Sequence, residues 1–255
     1  MKPSAMQTRL GAFGLLLALL AGWELASRGT GVSALVLPPP SAVLRSLWTG
    51  IASGYFWPHI VATGLELVFG LAIGCVIGFA SGVAMAESAL LGRLLKPYVI
   101  VSQVIPKLAL MPLFIVWFGF GMTSTVVITA LICFFPLMEN TVTSLQQVDP
   151  QRLELFRMLG ATRSQTLLRL KLPAGLPGIL AGLRVAVVLA LVGAVVGEFI
   201  GAGKGLGALI IASQGMMDTP LMFAVLVIIA ALGMLVYQLT VAVEKRLLLP
   251  YTSIP

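Results

Sequence analysis

The feature that most constrains this chain is a series of long apolar segments that charged residues rarely interrupt. The segments lie at residues 10–26, 60–84, 98–120, 125–143, 176–200 and 221–243. A helix needs about 20 predominantly apolar residues to cross the hydrocarbon core of a bilayer. The sequence therefore predicts a single all-α integral membrane domain over residues 1–255, with about six transmembrane helices.

The low charge density sets the chain apart from soluble proteins. Only 10 % of its residues are charged and 59 % are hydrophobic, whereas soluble domains carry roughly 25 % charged residues. The formal net charge of +7 does not indicate a nucleic-acid partner, because a basic soluble module would not contain several long apolar runs. The excess of Lys and Arg is instead expected to reflect membrane topology.

Residues that could support catalysis or bind a metal are few. The chain has one histidine, His59, and two cysteines, Cys75 and Cys133, in apolar runs. Neither cysteine has the spacing of a metal ligand, and there is no catalytic constellation. The glycine-rich stretch at 201–207 does not match a phosphate-binding loop, so we interpret it as a flexible external turn. We predict no catalytic site, no metal site and no cofactor bound by this chain.

The first apolar segment, 10–26, permits two interpretations. It is short for a transmembrane helix, and Lys2 and Arg9 precede it. A cleaved signal peptide has this arrangement, and Ala26 could mark its cleavage site. If the segment is retained as a helix, the six spans place both termini on the same side of the membrane.

The distribution of basic residues orients the predicted spans. With the N-terminus in the cytoplasm, the cytoplasmic side receives eleven of them: Lys2, Arg9, Arg93, Lys96, Arg152, Arg157, Arg163, Arg169, Lys171, Lys245 and Arg246. The outer side receives three: Arg28, Arg45 and Lys204. Cytoplasmic loops are enriched in Lys and Arg. The sequence therefore predicts that both termini and the polar segment at 149–173 lie in the cytoplasm.

The polar segment at 149–173 separates the fourth and fifth apolar segments. Asp149 followed by Pro150 is a typical helix start, with an N-cap residue and a proline in the first helical position. We expect this helix to run from 150 to about 159. It should end at Gly160, because glycine is the residue that most often terminates a helix.

A second short helix is predicted after this glycine. Thr162 and Gln165 have the spacing of a capping box. Pro173 and Pro177 are expected to break the chain before the fifth span. The same pattern also permits a simpler role, in which the helix pair is amphipathic and anchors to anionic lipid.

Charged residues and prolines inside the apolar segments are candidates for a transport pathway. Ionisable groups within a bilayer usually face the protein interior or water, because their exposure to lipid is costly. The candidates are Pro106, Lys107, Pro112, Glu139 and Glu198. The alternatives for the charged residues are an interhelical ion pair or a side chain that extends to the membrane interface.

Two series of glycines have the four-residue spacing of helix contacts in membranes. They are Gly70, Gly74, Gly78 and Gly82 in the second apolar segment, and Gly193, Gly197 and Gly201 in the fifth. Such glycine ridges let helix backbones approach closely. We interpret them as static packing, within the chain or across a dimer, with a contact that slides during transport as the alternative.

The polar segment resembles the EAA loop of ABC-importer permease subunits, whose pattern is E-A-A, three residues, G, nine residues and I-x-L-P. Four residues are in register with this pattern: Glu154, Gly160, Leu172 and Pro173. The departures are apolar substitutions, since Leu155 and Phe156 stand where the pattern has alanine and Leu170 stands where it has isoleucine.

Further segments resemble the nitrate/sulfonate/taurine-type branch of this family, and together they cover nearly the whole chain. They are LPPPSAV at 37–43, IPKLALMPLFIVWFGFG at 105–121, FFPLMENTV at 134–142, LGATRSQ at 159–165, GLRVA at 182–186 and GEFIGAGKGLGALI at 197–210. The order and spacing of these pieces make the resemblance more specific than the loop alone.

The resemblance implies the fold of a type I ABC-importer permease and a function for the polar segment. Its first helix would be a coupling helix that docks into a groove of a cytoplasmic ATPase subunit. The residues implied in this coupling loop are Glu154, Leu155, Phe156, Gly160, Ala161, Leu172 and Pro173. The ATPase subunits, and not this chain, would use ATP and Mg.

The resemblance also implies the partners and the location. By this resemblance, we expect the chain to form a homodimer. The homodimer would act with two ATP-binding cassette subunits and with a periplasmic or lipid-anchored binding protein. The substrates of this branch are small solutes such as nitrate, sulfonates, taurine or thiamine precursors. The expected location is the bacterial inner membrane, in contact with lipid. The alternative is a stand-alone secondary transporter or channel, which would need inverted repeats or its own ion relay, and neither is evident in the sequence.

Overall fold

The structure is a computed structural model that describes residues 5–29, 31, 33–201 and 203–252. All the regular elements of these residues are helical. In chain order they are α1 Ala5–Gly29, α2 Pro40–Ala52, α3 Trp57–Glu87, α4 Ala89–Val104, α5 Met111–Phe118, α6 Met122–Gln146, α7 Pro150–Met158, α8 Arg163–Thr166, α9 Leu172–Gly201, α10 Leu206–Gly215 and α11 Thr219–Thr252. A 3₁₀ turn, Lys107–Leu110, precedes α5, and a π-helical turn, Leu167–Lys171, joins α8 to α9. The predicted all-α fold is confirmed.

Four helices among the described residues are long and apolar enough to cross a bilayer: Trp57–Glu87, Met122–Gln146, Arg163–Gly201 and Thr219–Leu248. They contain the predicted second, fourth, fifth and sixth spans. The third predicted span is a bent pair, Ala89–Val104 with Lys107–Phe118, which meet at 85°. If this pair crosses the membrane, these residues contain five spans. Helix α1 covers the segment at 10–26, and the total of six spans stays a prediction.

Prolines and a glycine explain the bend in the third apolar segment. Ile105 and Pro106 have extended backbones, with ψ of 126° and 99°, because a residue before proline avoids the helical region and proline cannot donate a helical hydrogen bond. Pro112 lies in the first turn of α5, where its missing N–H has little cost. Helix α5 ends at Gly119, whose φ of 81° favours glycine.

Helix α6 lies at the centre of the bundle, and both glycine ridges face it. A Cβ atom on Gly74 would lie 2.5 Å from the Ala130 carbonyl oxygen and from Cys133 Sγ. A Cβ atom on Gly197 would lie 2.9 Å from Thr125 Cγ2. These distances are shorter than van der Waals contact, so only glycine permits the close approach of the two helices to α6. The ridges therefore pack helices within one chain.

The predicted break at Pro173 and Pro177 is wrong. The chain forms one continuous helix, Arg163–Gly201, and both prolines lie within its α9 part. Proline is best tolerated where the regular hydrogen-bond pattern is already interrupted, and the π-helical turn Leu167–Lys171 provides such an interruption just before Pro173. Membrane helices also tolerate proline because neighbouring groups satisfy the freed backbone carbonyls.

The end of the bundle opposite the polar segment is closed by α2, α10 and α11. Their side chains form one buried apolar cluster that includes Val43, Phe56, Leu206, Leu209 and Ala224. Burial of each large apolar side chain contributes about 1.5–3 kcal/mol relative to exposure to water. This cluster holds the turn between α9 and α10 against the rest of the bundle.

Candidate coupling loop and transport pathway

Both helices of the polar segment begin with N-cap hydrogen bonds. Asp149 Oδ1 accepts a hydrogen bond from the N–H of Gln151 (2.9 Å). Thr162 Oγ1 accepts from the N–H of Gln165 (3.2 Å), and Gln165 Oε1 accepts from the N–H of Thr162 (2.8 Å). These bonds satisfy backbone donors that have no partner within the helix. The predicted N-cap and the predicted capping box are confirmed.

Gly160 ends the first helix by adopting a left-handed conformation, with a φ of +70°. The N–H of Gly160 donates to the carbonyl of Arg157, and the N–H of Ala161 donates to the carbonyl of Phe156. These bonds close the last turn, as in helices that end with a C-terminal glycine. The predicted helix end is confirmed, and the turn it forms sets the direction of the second helix.

The tip of the polar segment exposes an apolar face. Leu155, Met158 and Leu159 are 54 %, 82 % and 74 % exposed. Residues three and four positions apart lie on the same side of a helix, so the three side chains form one surface, which we call the coupling surface. Exposed arginines, Arg157 and Arg163, flank it. A contiguous apolar patch of this kind marks an interaction site.

The residues predicted in the coupling loop fall into two groups in the structure. The exposed ones are Glu154, Leu155 and Gly160. The half-buried ones are Phe156, Ala161, Leu172 and Pro173. Leu172 packs against a buried apolar cluster of the bundle. The first group is therefore available to a partner, whereas Leu172 and Pro173, at the start of α9, connect the loop to the bundle.

A cavity of about 630 Å³, the central cavity, opens at the bend of the third apolar segment between α4, α6 and α9. Pro106, Lys107 and Glu139 line it. The Lys107 ammonium lies 4.8 Å from the centre of the Phe135 ring, which is a cation–π distance. In the described part of the chain, neither Lys107 nor Glu139 forms an ion pair. Both charged residues therefore line the cavity, and Lys107 also packs over Phe135 of α6, the helix that carries Glu139.

A second cavity of about 650 Å³, the inner cavity, extends from the central one toward the polar segment. Gln103 and Glu139 line both cavities, so the two are joined along α4 and α6. Glu87, Arg93 and Lys96 line the inner cavity alone. Charged residues within a membrane protein normally face water or a substrate route. The two cavities are therefore candidates for such a route.

Two of the predicted pathway residues lie outside these cavities. Pro112 is in the first turn of α5 and lines neither of them. Glu198 is only 1 % exposed. Its carboxyl oxygens accept hydrogen bonds from Thr63 Oγ1 and from the N–H of Gly207, each 2.5 Å long. The structure therefore places Glu198 in a buried cluster that anchors the turn between α9 and α10.

The described part of this turn, residues 203–207, is held by several hydrogen bonds, in contrast to the flexible turn that the sequence suggested. Thr63 Oγ1 accepts a hydrogen bond from the N–H of Leu206 (2.8 Å), and His59 Nδ1 lies within hydrogen-bond distance of the carbonyl oxygen (2.9 Å) and of the backbone nitrogen (3.2 Å) of Gly205. Gly205 has a φ of +133°, and a Cβ atom there would overlap the Glu198 carboxyl group. The sequence analysis missed Thr63 and His59 because they lie 135 and 146 positions from their partners.

A further residue pair that the sequence analysis missed lies at the inner cavity. Lys171 Nζ is 2.6 Å from Glu87 Oε1, although the two residues are 84 positions apart. Each residue belongs to a segment whose sequence pattern predicts only a helix end. Nothing in either pattern therefore indicates that the two side chains contact each other. The contact joins the polar segment directly to the end of α3.

The long apolar helices, the bent pair in the third apolar segment and the polar helix pair between two spans define the class of a multi-pass membrane protein. Residues 70–249 match the family described as "Binding-protein-dependent transport system inner membrane component". The chain belongs to this family and is a permease subunit of an ABC importer.

Characterised relatives are similar over most of their length. The riboflavin transport system permease protein RibX of Chloroflexus aurantiacus is 36 % identical over 232 residues, which cover 91 % of this chain and 87 % of the relative. The formylaminopyrimidine transport permease protein ThiX of Halalkalibacterium halodurans is 37 % identical over 232 residues, covering 91 % and 92 %. The taurine transport system permease protein TauC of Escherichia coli is 30 % identical over 250 residues, covering 96 % and 90 %.

A solved structure supports the fold. One chain of the inward-facing MetNI methionine ABC transporter aligns with a TM-score of 0.65 and 21 % identity, covering 76 % of this chain and 97 % of that chain. The predicted fold class, a type I ABC-importer permease, is confirmed. The predicted class of function is confirmed as well, and family membership decides against a stand-alone secondary transporter or channel.

Proposed function

We propose that the working transporter contains two copies of this chain, two ATP-binding cassette subunits and a separate binding protein. The coupling surface is the site where each ATPase subunit docks, because its apolar side chains are exposed in the single chain. ATP and Mg are used by these subunits. The complex lies in the bacterial inner membrane, and both termini of this chain lie in the cytoplasm. The distribution of Lys and Arg supports this orientation.

The observation that carries this proposal is the continuous helix Arg163–Gly201. The helix begins at Arg163, shortly after the turn at Gly160 that follows the coupling surface. It runs 39 residues to the opposite end of the bundle. This length corresponds to about 58 Å at 1.5 Å per residue. Leu189 and Val192 of this helix line the central cavity. One continuous helix therefore connects the polar segment to the wall of the central cavity, which supports the transmission of a movement from one to the other.

We assign the transport route to the central and inner cavities. Lys107 and Glu139 offer opposite charges to a solute or to water at the bend, and Pro106 and Pro112 shape that bend. ATP binding draws the two ATPase subunits together and moves the coupling loops with them. The cavities then open to the other side of the membrane. ATP binding can drive this change because the inward-open and outward-open states differ in how the loop contacts the ATPase. Glu198 acts here only indirectly, by fixing the turn at 201–207.

The solute is proposed to be small and polar. The named relatives transport riboflavin, formylaminopyrimidine and taurine. Two of these solutes are heterocycles, and both belong to relatives with 36 % or 37 % identity. An aminopyrimidine is therefore the first compound to test, and a sulfonate such as taurine is the second.

Co-purification tests the docking of the ATPase. The tagged chain is expressed with the ATPase subunit encoded beside it, extracted in detergent and captured. We expect the ATPase to be retained at one copy per permease chain, and Met158→Glu to abolish retention because it places a charge in the coupling surface. Met216→Glu is the matched control, since Met216 is 62 % exposed at the opposite end of the bundle. Full retention by the Met158→Glu chain contradicts the proposal.

A further inference from the structure

The ion pair between Lys171 and Glu87 joins the polar segment to the end of α3, two parts of the chain that also meet through apolar packing. Lys171 Nζ donates to Glu87 Oε1 at 2.6 Å. Their side chains are only 19 % and 24 % exposed. A charged pair that is shielded from water interacts more strongly than one on the open surface. This contact therefore restrains the relative position of its two helices.

Lys171 belongs to the helix that the coupling loop moves. It is the last residue of the π-helical turn Leu167–Lys171, which lies between the capping box of α8 and the start of α9. The nearby side chain of Leu167 packs against the same buried cluster as Val83 and Ala86 of α3. The polar segment is thus attached to the end of α3 by apolar packing and by one charged contact.

Glu87 belongs to the wall of the transport route. It is the last residue of α3 and lines the inner cavity. Only Ser88 separates it from α4, which lines both cavities through residues such as Gln103. A displacement of Glu87 therefore changes the position of α4 and with it the width of the inner cavity.

Other cations are available to Glu87 within the same cavity. Arg93 and Lys96 of α4 line it, and across the described residues neither forms an ion pair. When Lys171 moves with the polar segment, Glu87 can exchange it for one of these side chains without leaving a carboxylate unpaired. The exchange supplies a contact that differs between two states, which any conformational switch requires.

We propose that Lys171 and Glu87 are a positioning pair that transmits the movement of the coupling loop to the inner cavity. Neither residue touches the solute or the nucleotide. The pair acts by making the end of α3, and α4 with it, follow the polar segment. This inference rests on the proposed function, because it requires an ATPase that moves the loop.

Cysteine accessibility at Gln103 tests the proposal without knowledge of the solute. Gln103→Cys is introduced into the chain with Cys75→Ala and Cys133→Ala, assembled with the ATPase in nanodiscs and labelled with a membrane-impermeant maleimide. The labelling rate is measured without nucleotide and with ATP and vanadate. In the otherwise unaltered chain, we expect the two rates to differ by at least about fivefold, the lower end of typical coupling factors.

The pair is then altered in the same background. Lys171→Gln and Glu87→Gln are each expected to reduce the nucleotide-dependent change to less than about twofold, whereas Lys171→Arg, which keeps a positive charge at this position, is expected to retain the change. Lys245→Glu is the control, since it removes a basic residue near the same end of the bundle that has no ion pair in the described structure. ATPase retention on the tagged chain is measured for every variant, so a variant that fails to assemble is recognised.

Each outcome decides between the two proposals. If Gln103→Cys is labelled at the same rate with and without nucleotide while Lys171 and Glu87 are unaltered, the proposed function fails and this inference fails with it. If that dependence is present and both single variants keep it, the positioning pair alone is wrong. The inference is also overturned if Lys171→Arg loses the dependence to the same extent as Lys171→Gln, or if Lys245→Glu has the same effect as Lys171→Gln.

Discussion

Replacement of Gly160 isolates the contribution of the turn that follows the coupling helix. Gly160 has a φ of +70°, and a Cβ atom there would meet no heavy atom within 4 Å. Gly160→Ala therefore adds backbone strain without a steric clash. An L-residue in this conformation costs about 1–2 kcal/mol, which shifts an equilibrium by a factor of about 5–30. Because the turn positions the coupling surface, we expect the apparent affinity for the ATPase subunit to fall by up to this factor.

The assay is a titration of purified ATPase subunit onto permease in nanodiscs, with the rate of ATP hydrolysis measured on the same samples. Gly160→Asn should lose less affinity than Gly160→Ala, because Asn adopts the left-handed region more readily. Gly64→Ala is the matched control, since Gly64 is helical and also has no neighbour within 4 Å. The reasoning is refuted if Gly160→Ala binds as tightly as the unaltered chain, or if Gly160→Asn binds more weakly than Gly160→Ala.

Three further predictions concern the bundle and the route. Gly74→Ala places a Cβ atom 2.5 Å from a backbone oxygen of α6, so we expect thermal unfolding in detergent to show a loss of about 1–3 kcal/mol; an unchanged melting temperature contradicts the packing described above. Glu198→Ala leaves two buried donors without an acceptor at about 1–3 kcal/mol each, and it should destabilise the chain more than Glu198→Gln; equal stability of the two variants speaks against an anchoring role. A thiol reagent should label Lys107→Cys at a rate that depends on nucleotide, and a constant rate removes Lys107 from the route.

Signals that act over a few residues could be recognised in the sequence. The lengths of the apolar segments predict α3, α6, α9 and α11 because a bilayer imposes a minimum helix length. The N-cap at Asp149, the capping box at Thr162 and the turn at Gly160 depend on hydrogen bonds between residues two to five positions apart. Their geometry follows from local chemistry, so the two helices of the polar segment were predictable.

Features that depend on contacts between distant residues were not predictable from one sequence. Glu198 is an ionisable residue in an apolar segment, which is typical of a transport pathway. Its hydrogen-bond partner Thr63, however, lies 135 positions away, and this contact belongs to a buried cluster that anchors a turn. The pair of Glu87 and Lys171 joins two helix ends that carry no mutual signal. Pro173 is a helix breaker by local rules, but the π-helical turn before it and the packed bundle keep the helix continuous.

The central claim, that ATP moves the polar segments of two copies of this chain, is tested most directly by the distance between those segments. A spin label is placed at Gln151→Cys, an exposed position in the first turn of α7 and outside the coupling surface, with Cys75 and Cys133 replaced by alanine. The distance between the two labels is measured in the assembled transporter, without nucleotide and with ATP and vanadate. The account predicts a shorter distance with ATP and vanadate. The same distance in both conditions, in a complex that hydrolyses ATP, contradicts it.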